Sequence, residues 1–321
     1  MITEQEYEAG LSRELKLMYL RQRQSLPLSI KIRLTQRRIA EFYEKLDGKV
    51  YVSFSGGKDS TVLLDIVRGM YTDVPAVFSD TGLEYPEIRD FVKTIDNVIT
   101  VRPKKSFKQV IEEHGYPVVS KKASKLISAV QNPTGKNQAT INLAKTGLRR
   151  DGEKATTMRL GKKWHKLFDA PFKVSDKCCE WIKKKPIAEF AKQSKMSPIT
   201  GIMAEESDLR QSTWLRTGCN SFSNGFSMPM AFWTEQDVLQ YLKEKQVPYS
   251  PIYGDIVEVD GKLKTTGERR TGCMFCMFGV HMEKGTNRFQ RMKLTHPQYW
   301  DYCINKLGLK EVLEYIGVPY E

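Results

Sequence analysis

An α/β fold, with a mainly parallel sheet and helices on both of its faces, is expected of this 321-residue chain on three grounds. Short runs rich in β-branched and aromatic residues recur at 50–54, 76–78 and 98–101, separated by stretches of helical periodicity. That rhythm belongs to parallel strands joined by crossover helices. The junction after the first run, Ser55-Gly56-Gly57-Lys58-Asp59-Ser60, is a glycine-bearing turn that opens directly into an apolar helix. The composition, 40% hydrophobic and 28% charged, is that of a globular chain long enough to bury a core.

Taken in order, residues 1–47 predict a helical segment of two helices. The second, about 30–46, sets Ile32, Leu34, Ile39, Phe42 and Leu46 at roughly helical spacing. Residues 48–250 then form an α/β domain. Its strands lie at 50–54, 76–78, 98–101 and 198–203, with a further candidate at 228–232. Its helices are expected at 61–70, 85–96, 180–194 and 234–245. Pro86 suits a first helical turn, and Thr234 with Asp237 three residues on has the form of a capping box. Between about 120 and 175 the periodicity fades into Gly, Asn, Thr and Lys, which reads as a mobile insertion with some helix. Residues 251–321 form a C-terminal, cysteine-containing extension. It opens with a hairpin at 257–263 turning on Asp260-Gly261 and continues as helix after 286.

The net charge of +13 is concentrated. Residues 121–190 carry seventeen Lys or Arg against six Asp or Glu, which leaves little excess elsewhere. Such a block suits a polyanionic partner, either nucleotide phosphates or a nucleic acid. No run approaches the ~18 apolar residues of a membrane span, and the start, 1–6, is acidic where a secretory signal is basic. The expectation is a cytoplasmic protein with no membrane partner.

Six cysteines are too few for a disulfide scaffold in a chain of this size. Cys178 and Cys179 are adjacent, Cys273 and Cys276 make a CxxC, and Cys219 and Cys303 stand alone. In a reducing compartment the first four point to a metal, a cluster or a redox pair. Cys219 is expected to be a small buried side chain, with a redox or sulfur-carrying thiol near the nucleotide as the alternative, and Cys303 a core side chain. His281 and His296 have no metal-ligand spacing.

The segment 55–60 is an anion-binding turn by its chemistry. Gly56 and Gly57 let successive N–H groups face one point, the next helix adds its positive N-terminus, and Lys58 adds a charge. Ser60 and Thr61 can bond phosphate or cap the helix. The spacing is not GxxxxGK(S/T). It resembles the PP-loop, SGGxD(S/T), of the ATP pyrophosphatase and phosphoadenylylsulfate (PAPS) reductase superfamily, which splits nucleotides at the α-phosphate. Two further segments agree. Asp80-Thr81-Gly82, followed by Tyr85-Pro86-Glu87, is similar to the family's DTG…(F/Y)PE. Gly201 to Arg210 is similar to G-x-R-x-x-E-S-x-x-R, with Met203 at a common arginine position.

Over roughly 48–285 the resemblance implies a five-stranded, mainly parallel sheet with nucleotide at the strand C-termini. It implies nucleotide contacts at Ser53, Ser55, Gly56, Gly57, Lys58, Asp59, Ser60, Thr61, Asp80, Thr81, Gly82 and Arg210, with Arg216 in reserve. Lys58, Asp59 and Asp80 become the candidate catalytic set, the two carboxylates placing Mg²⁺. The Cys178-Cys179 pair with Cys273 and Cys276 resembles the assimilatory adenylylsulfate (APS) reductases, and so implies a 4Fe–4S cluster on four thiolates, with zinc as the alternative.

Two departures from those reductases matter. The tail motif E-C-G-x-H is missing, and Lys58 is intact in a loop that is often degenerate in reductases. Together they favour an ATP pyrophosphatase-type enzyme making an adenylyl intermediate and pyrophosphate. That activation would be coupled to cluster-dependent sulfur transfer, with DNA or tRNA on 121–190 as acceptor and a sulfur- or electron-donor protein. The alternatives are an APS/PAPS reductase releasing sulfite and a non-catalytic, cluster-containing nucleic-acid-binding regulator.

Overall fold

In the computed structural model, which describes residues 11–155 and 159–321, β1 (Val50–Phe54) is the central strand of the main sheet. Its neighbours are β2 (Ala76–Ser79), β3 (Val98–Val101), β4 (Ser197–Thr200), β5 (Asn220–Ser221) and β6 (Phe226–Ser227), in the order β3-β2-β1-β4-β6-β5. All pairings are parallel except β5 with β6. The register sets Ser53 opposite both Val77 and Thr200. Val50, Tyr51 and Val52 are fully buried, as a near-continuous apolar strand between two helical layers should be.

The expected α/β class therefore holds, with six strands where five were expected. The extra strand comes from the short β5–β6 hairpin at one edge. The strand expected at 228–232 is instead a tight turn, in which Ala231 N–H bonds Met228 O and Trp233 N–H bonds Met230 O. Pro229 cannot donate to a ladder, so pairing ends at Ser227. The acidic start at 1–6, and 156–158 of the basic insertion, lie outside the described residues.

The chain divides into two compact units. The first comprises Met1–Asp80, Tyr85–Val101 and Ile187–Thr271. It holds the sheet with α1 (Arg13–Gln24), α2 (Leu28–Lys45), α3 (Lys58–Met70), α4 (Pro86–Lys93), α5 (Asp208–Thr217) and α6 (Glu235–Lys245). α2 is tied in by buried polar bonds: Trp233 Nε1 donates to Thr35 Oγ1 at 2.8 Å, and Asn220 Nδ2 to Arg38 O at 2.9 Å. The hairpin of β7 (Ile256–Val259) and β8 (Lys262–Thr265) turns on Asp260 and Gly261, with φ of 55° and 69°. Two positive φ values are what a two-residue hairpin turn of this kind needs.

The second unit comprises Thr81–Glu84, Arg102–Pro186 and Gly272–Glu321. A two-residue parallel pair, Val118–Val119 with Met277–Phe278, sits among helices Phe107–His114, Lys121–Gln131, Gln138–Thr146, Arg288–Thr295 and Leu309–Ile316. The basic stretch is more regular than its composition suggested. Two α-helices, Lys121–Gln131 and Gln138–Thr146, and the 3₁₀ turn Lys162–Asp169 run through it. Leu126, Ile127, Leu167 and Val174 are buried, so the few apolar side chains suffice to pin it.

Candidate functional site

The turn between β1 and α3 is built for an anion. Gly56 has φ +70°, and a Cβ there would lie 2.8 Å from Ile88 Cγ2 and 2.9 Å from Val92 Cγ2 of α4. Glycine is thus required by both conformation and space. Gly57 is the N-cap of α3 and offers no side chain to the first-turn N–H groups. The helix dipole and the first-turn donors that no side chain meets are left for a ligand. Gly201, just after β4, abuts the same turn, with its Cβ position 3.0 Å from Asp59 O.

Ser60 Oγ and Thr61 Oγ1 both donate to Gly57 O, at 2.9 and 3.0 Å, and Ser55 N–H donates to Ser60 Oγ. These hydroxyls brace the loop from within. Lys58 is buried, with Nζ 2.9 Å from Glu235 Oε1 and 2.6 Å from Arg269 O. Its backbone N–H points at Tyr253 Oη, 3.3 Å away, and that hydroxyl shares a 2.6 Å bond with Thr271. Arg269 pairs with the other oxygen of Glu235 at 2.7 Å.

Asp59 Oδ1 is buried without a hydrogen-bond partner. Burial, the largest influence, pushes the Asp59 carboxyl above its usual range against the pull of Lys58; Glu235 adds to the rise and Arg270 and Arg210 oppose it. For Glu235 burial also works upward, but the hydrogen bonds from Arg269 and Lys58 outweigh it and hold the carboxyl below the usual range. Buried Asp80, which follows β2, pairs with Arg89 at 3.1 Å. Arg210 is bridged to Glu206 one turn earlier. Ser53 is half-buried on β1, and Arg216 is exposed in the last turn of α5. Lys58, Asp59, Arg210, Glu235, Tyr253, Arg269, Arg270 and Thr271 all belong to the first unit. Thr81 and Gly82 belong to the second, where the Thr81 hydroxyl bonds Glu84 at 2.7 Å.

Glu235, Tyr253 and the Arg269-Arg270-Thr271 stretch were not among the expected site residues. The one available signal was two adjacent arginines between glycines, in Gly267-Glu268-Arg269-Arg270-Thr271-Gly272. The reason for those glycines is partly visible: a Cβ on Gly267 would lie 2.3 Å from Ile252 O, so backbone runs directly on backbone here.

The second unit gathers Cys178, Cys179, Cys273 and Cys276, all as free thiols. Burial and then the neighbouring Cys273, Cys179 and Cys276 raise the Cys178 pKa, and burial lifts Cys273 to about 11. Burial opposes charge on Lys183, but Cys273, Glu84 and a hydrogen bond to Cys273 prevail and its pKa rises. The four sulfurs thus share one electrostatic neighbourhood with a cation in it. Among the described residues no three His, Cys, Asp or Glu side chains converge on a single-ion position. A four-iron cluster spreads its thiolates over the corners of a cube, and so does not need that convergence. Cys219 and Cys303 are buried elsewhere. Trp214 Nε1 lies 3.4 Å from the Cys219 sulfur, and burial raises Cys303 to about 12.

Two uncharacterised proteins of Methanocaldococcus jannaschii are similar to this chain. One is 37% identical over 86 residues, covering 25% of this chain and 21% of its own length. The other is 24% identical over 282 residues, covering 84% and 43%. The chain therefore spans less than half the length of either. An adenosine 5′-phosphosulfate reductase of Staphylococcus epidermidis is 23% identical over 211 residues, 66% of this chain and 68% of that one. A crystal structure of phosphoadenylyl-sulfate reductase from Candida auris aligns with 79% of this chain and 98% of its own, at 16% identity and a TM-score of 0.40. No helix among the described residues is long and apolar enough to cross a membrane. The family model described as phosphoadenosine phosphosulfate reductase domain matches residues 49–160 and 121–277, well over half of the sequence. The chain belongs to the phosphoadenosine phosphosulfate reductase domain family.

Proposed function

We propose that the protein is a PP-loop enzyme that activates an acceptor with ATP, releasing pyrophosphate, and couples this to sulfur transfer dependent on a 4Fe–4S cluster. The observation that carries the reading is the charge assembled on the loop. Lys58 is intact and buried, Arg210, Arg269 and Arg270 stand near the loop, and the N-cap of α3 is a glycine with no capping side chain. A β,γ-diphosphate leaving group uses that much positive charge; the sulfate of an adenylylated sulfate uses less.

In the reaction, an acceptor oxygen attacks the α-phosphorus. The bond from that phosphorus to the bridging oxygen breaks, and pyrophosphate leaves with the electron pair. Lys58 and the loop N–H groups meet the charge that develops on the leaving group, and preorganised donors of this kind are the strongest stabilisation such a site can supply. Asp59, whose Oδ1 has no protein partner, and Asp80 would hold Mg²⁺. Ser53, Ser55, Gly56, Gly57, Ser60 and Thr61 shape the turn, and Arg210 adds a nucleotide contact from the same unit.

Cys178, Cys179, Cys273 and Cys276 would hold the cluster, which when bound supplies electrons or a labile sulfide. Four thiols with no disulfide partner, beside the cationic Lys183, suit a group that requires four thiolates. The basic stretch 121–190 would carry a nucleic-acid acceptor, DNA or tRNA, and a donor protein would supply sulfur or electrons.

The second reading, an APS or PAPS reductase releasing sulfite, is favoured by the named reductase among the relatives. Against it, Cys219 and Cys303 are both buried, so neither offers an exposed thiol to attack sulfur. Anaerobic incubation of the cluster-loaded protein with ATP, APS and PAPS separates the two. Pyrophosphate from ATP supports the first reading, and sulfite from a sulfated nucleotide overturns it.

A further inference from the structure

Three donors that would meet a phosphate chain, Lys58 Nζ, the Lys58 N–H and the Arg269 guanidinium, already have internal partners. Glu235 Oε1 is 2.9 Å from Lys58 Nζ, and Glu235 Oε2 is 2.7 Å from Arg269. The Lys58 N–H, one of the first-turn amides of α3, is turned to the Tyr253 hydroxyl. Glu235 is itself held. It is the first residue of α6, its own N–H donates to Glu205, and Thr234 beside it caps the helix by accepting from Asp237 N–H. A carboxylate fixed in that way is a surrogate anion at the position where a ligand's charge belongs.

We propose that Glu235 is a specificity-determining residue that keeps Lys58 and Arg269 neutralised until a polyphosphate displaces it; this rests on the ATP reading above. Binding at Lys58 is then an exchange of one anion for another. A triphosphate or pyrophosphate brings several negative charges and outcompetes one carboxylate. A sulfate group brings one charge beyond the α-phosphate and competes poorly. Glu235 thus sets a charge threshold for entry, and the neutral Tyr253 hydroxyl occupies the loop amide until a phosphate oxygen replaces it. The low Glu235 pKa direction fits a carboxylate that stays ionised and paired in the resting state.

The test is calorimetric titration of the cluster-loaded protein with inorganic pyrophosphate, inorganic sulfate, ATP and APS, for wild type, Glu235→Gln and Tyr253→Phe. Glutamine keeps the shape and α6 keeps its Thr234 cap, so the variant retains its fold; a melting curve verifies this. Pyrophosphate should bind roughly tenfold tighter to Glu235→Gln, and sulfate and APS should gain at least as much, which narrows selectivity. Tyr253→Phe should shift pyrophosphate in the same direction by a smaller factor. In a Lys58→Met background the Glu235→Gln gain should shrink to the part that release of Arg269 supplies, a coupling that a general loosening of the fold would not show. Unchanged or weaker pyrophosphate binding to Glu235→Gln overturns the proposal. If pyrophosphate tightens as expected while wild type binds APS better than ATP, the exchange stands and the ATP reading fails instead.

Discussion

Lys31 Nζ lies 2.6 Å from Asp237 Oδ2, and both side chains are nearly sealed from water. The same Asp237 oxygen accepts from Thr234 N–H and from the Thr234 hydroxyl, each at 2.7 Å. One carboxylate therefore closes the capping box of α6 and pairs with α2, which fixes the helix end that presents Glu235.

Lys31→Met leaves that carboxylate buried with no cation. A loss of about 3–5 kcal/mol is expected, read as a lower urea midpoint. Adding Asp237→Asn should recover part of it. An unchanged midpoint would mean that the pair is only a bystander in the packing.

Lys58→Met removes the cation embedded in the loop. Pyrophosphate release should fall by about 10²–10³-fold, while far-ultraviolet circular dichroism stays that of the parent. Activity within a few-fold of wild type would remove Lys58 from the proposed leaving-group contact.

Asp59→Asn should raise the melting temperature of the ligand-free protein and abolish turnover. Burial lifts the Asp59 pKa in the folded chain above its unfolded value. A carboxyl shifted upward contributes stability that is full below the unfolded pKa and is lost as pH rises through the folded one. The advantage of the Asn variant should therefore be largest near neutrality and shrink as pH falls toward 4. An advantage that grows on acidification would show that the folded chain favours the ionised form.

Serine at any one of Cys178, Cys179, Cys273 or Cys276 should lower iron and acid-labile sulfide together and bleach the visible absorption of anaerobically prepared protein. Serine at Cys303 should leave that absorption intact. Retention of full iron content in a Cys273→Ser variant would sink the four-thiolate assignment.

Much of the first unit was legible because its signals are local. The β-branched runs at 50–54 and 98–101 became strands with those boundaries, and Asp260-Gly261 turned the hairpin as its chemistry requires. The strand end at Ser227 was missed because the apolar run 228–232 suggests pairing, while Pro229 and the Trp233–Thr35 bond demand a turn. At the loop, Gly56, Gly57 and Lys58 announce an anion site in six consecutive residues. Glu235 and Arg269 do not, since each is an ordinary surface-type residue until the fold brings it to Lys58 from far along the chain. The basic insertion misled in the other direction. Its helix Lys121–Gln131 does set Ala123, Leu126 and Ile127 at helical spacing, but in a short run among lysines, and Leu167 and Val174 beyond it are isolated apolar anchors.

The central position of β1 has a consequence for how the chain is made. One edge of β1 pairs with β2 after a short crossover, but the other pairs Val50 with Ser197. That partner is translated about 150 residues later, which at typical synthesis rates is on the order of ten seconds or more. Throughout that interval the most apolar strand of the sheet has an open edge, ready to pair with a neighbouring nascent chain. Expression yield should therefore respond to growth temperature and to chaperone supply more than the finished molecule's stability would suggest, because the vulnerable species is the half-made sheet.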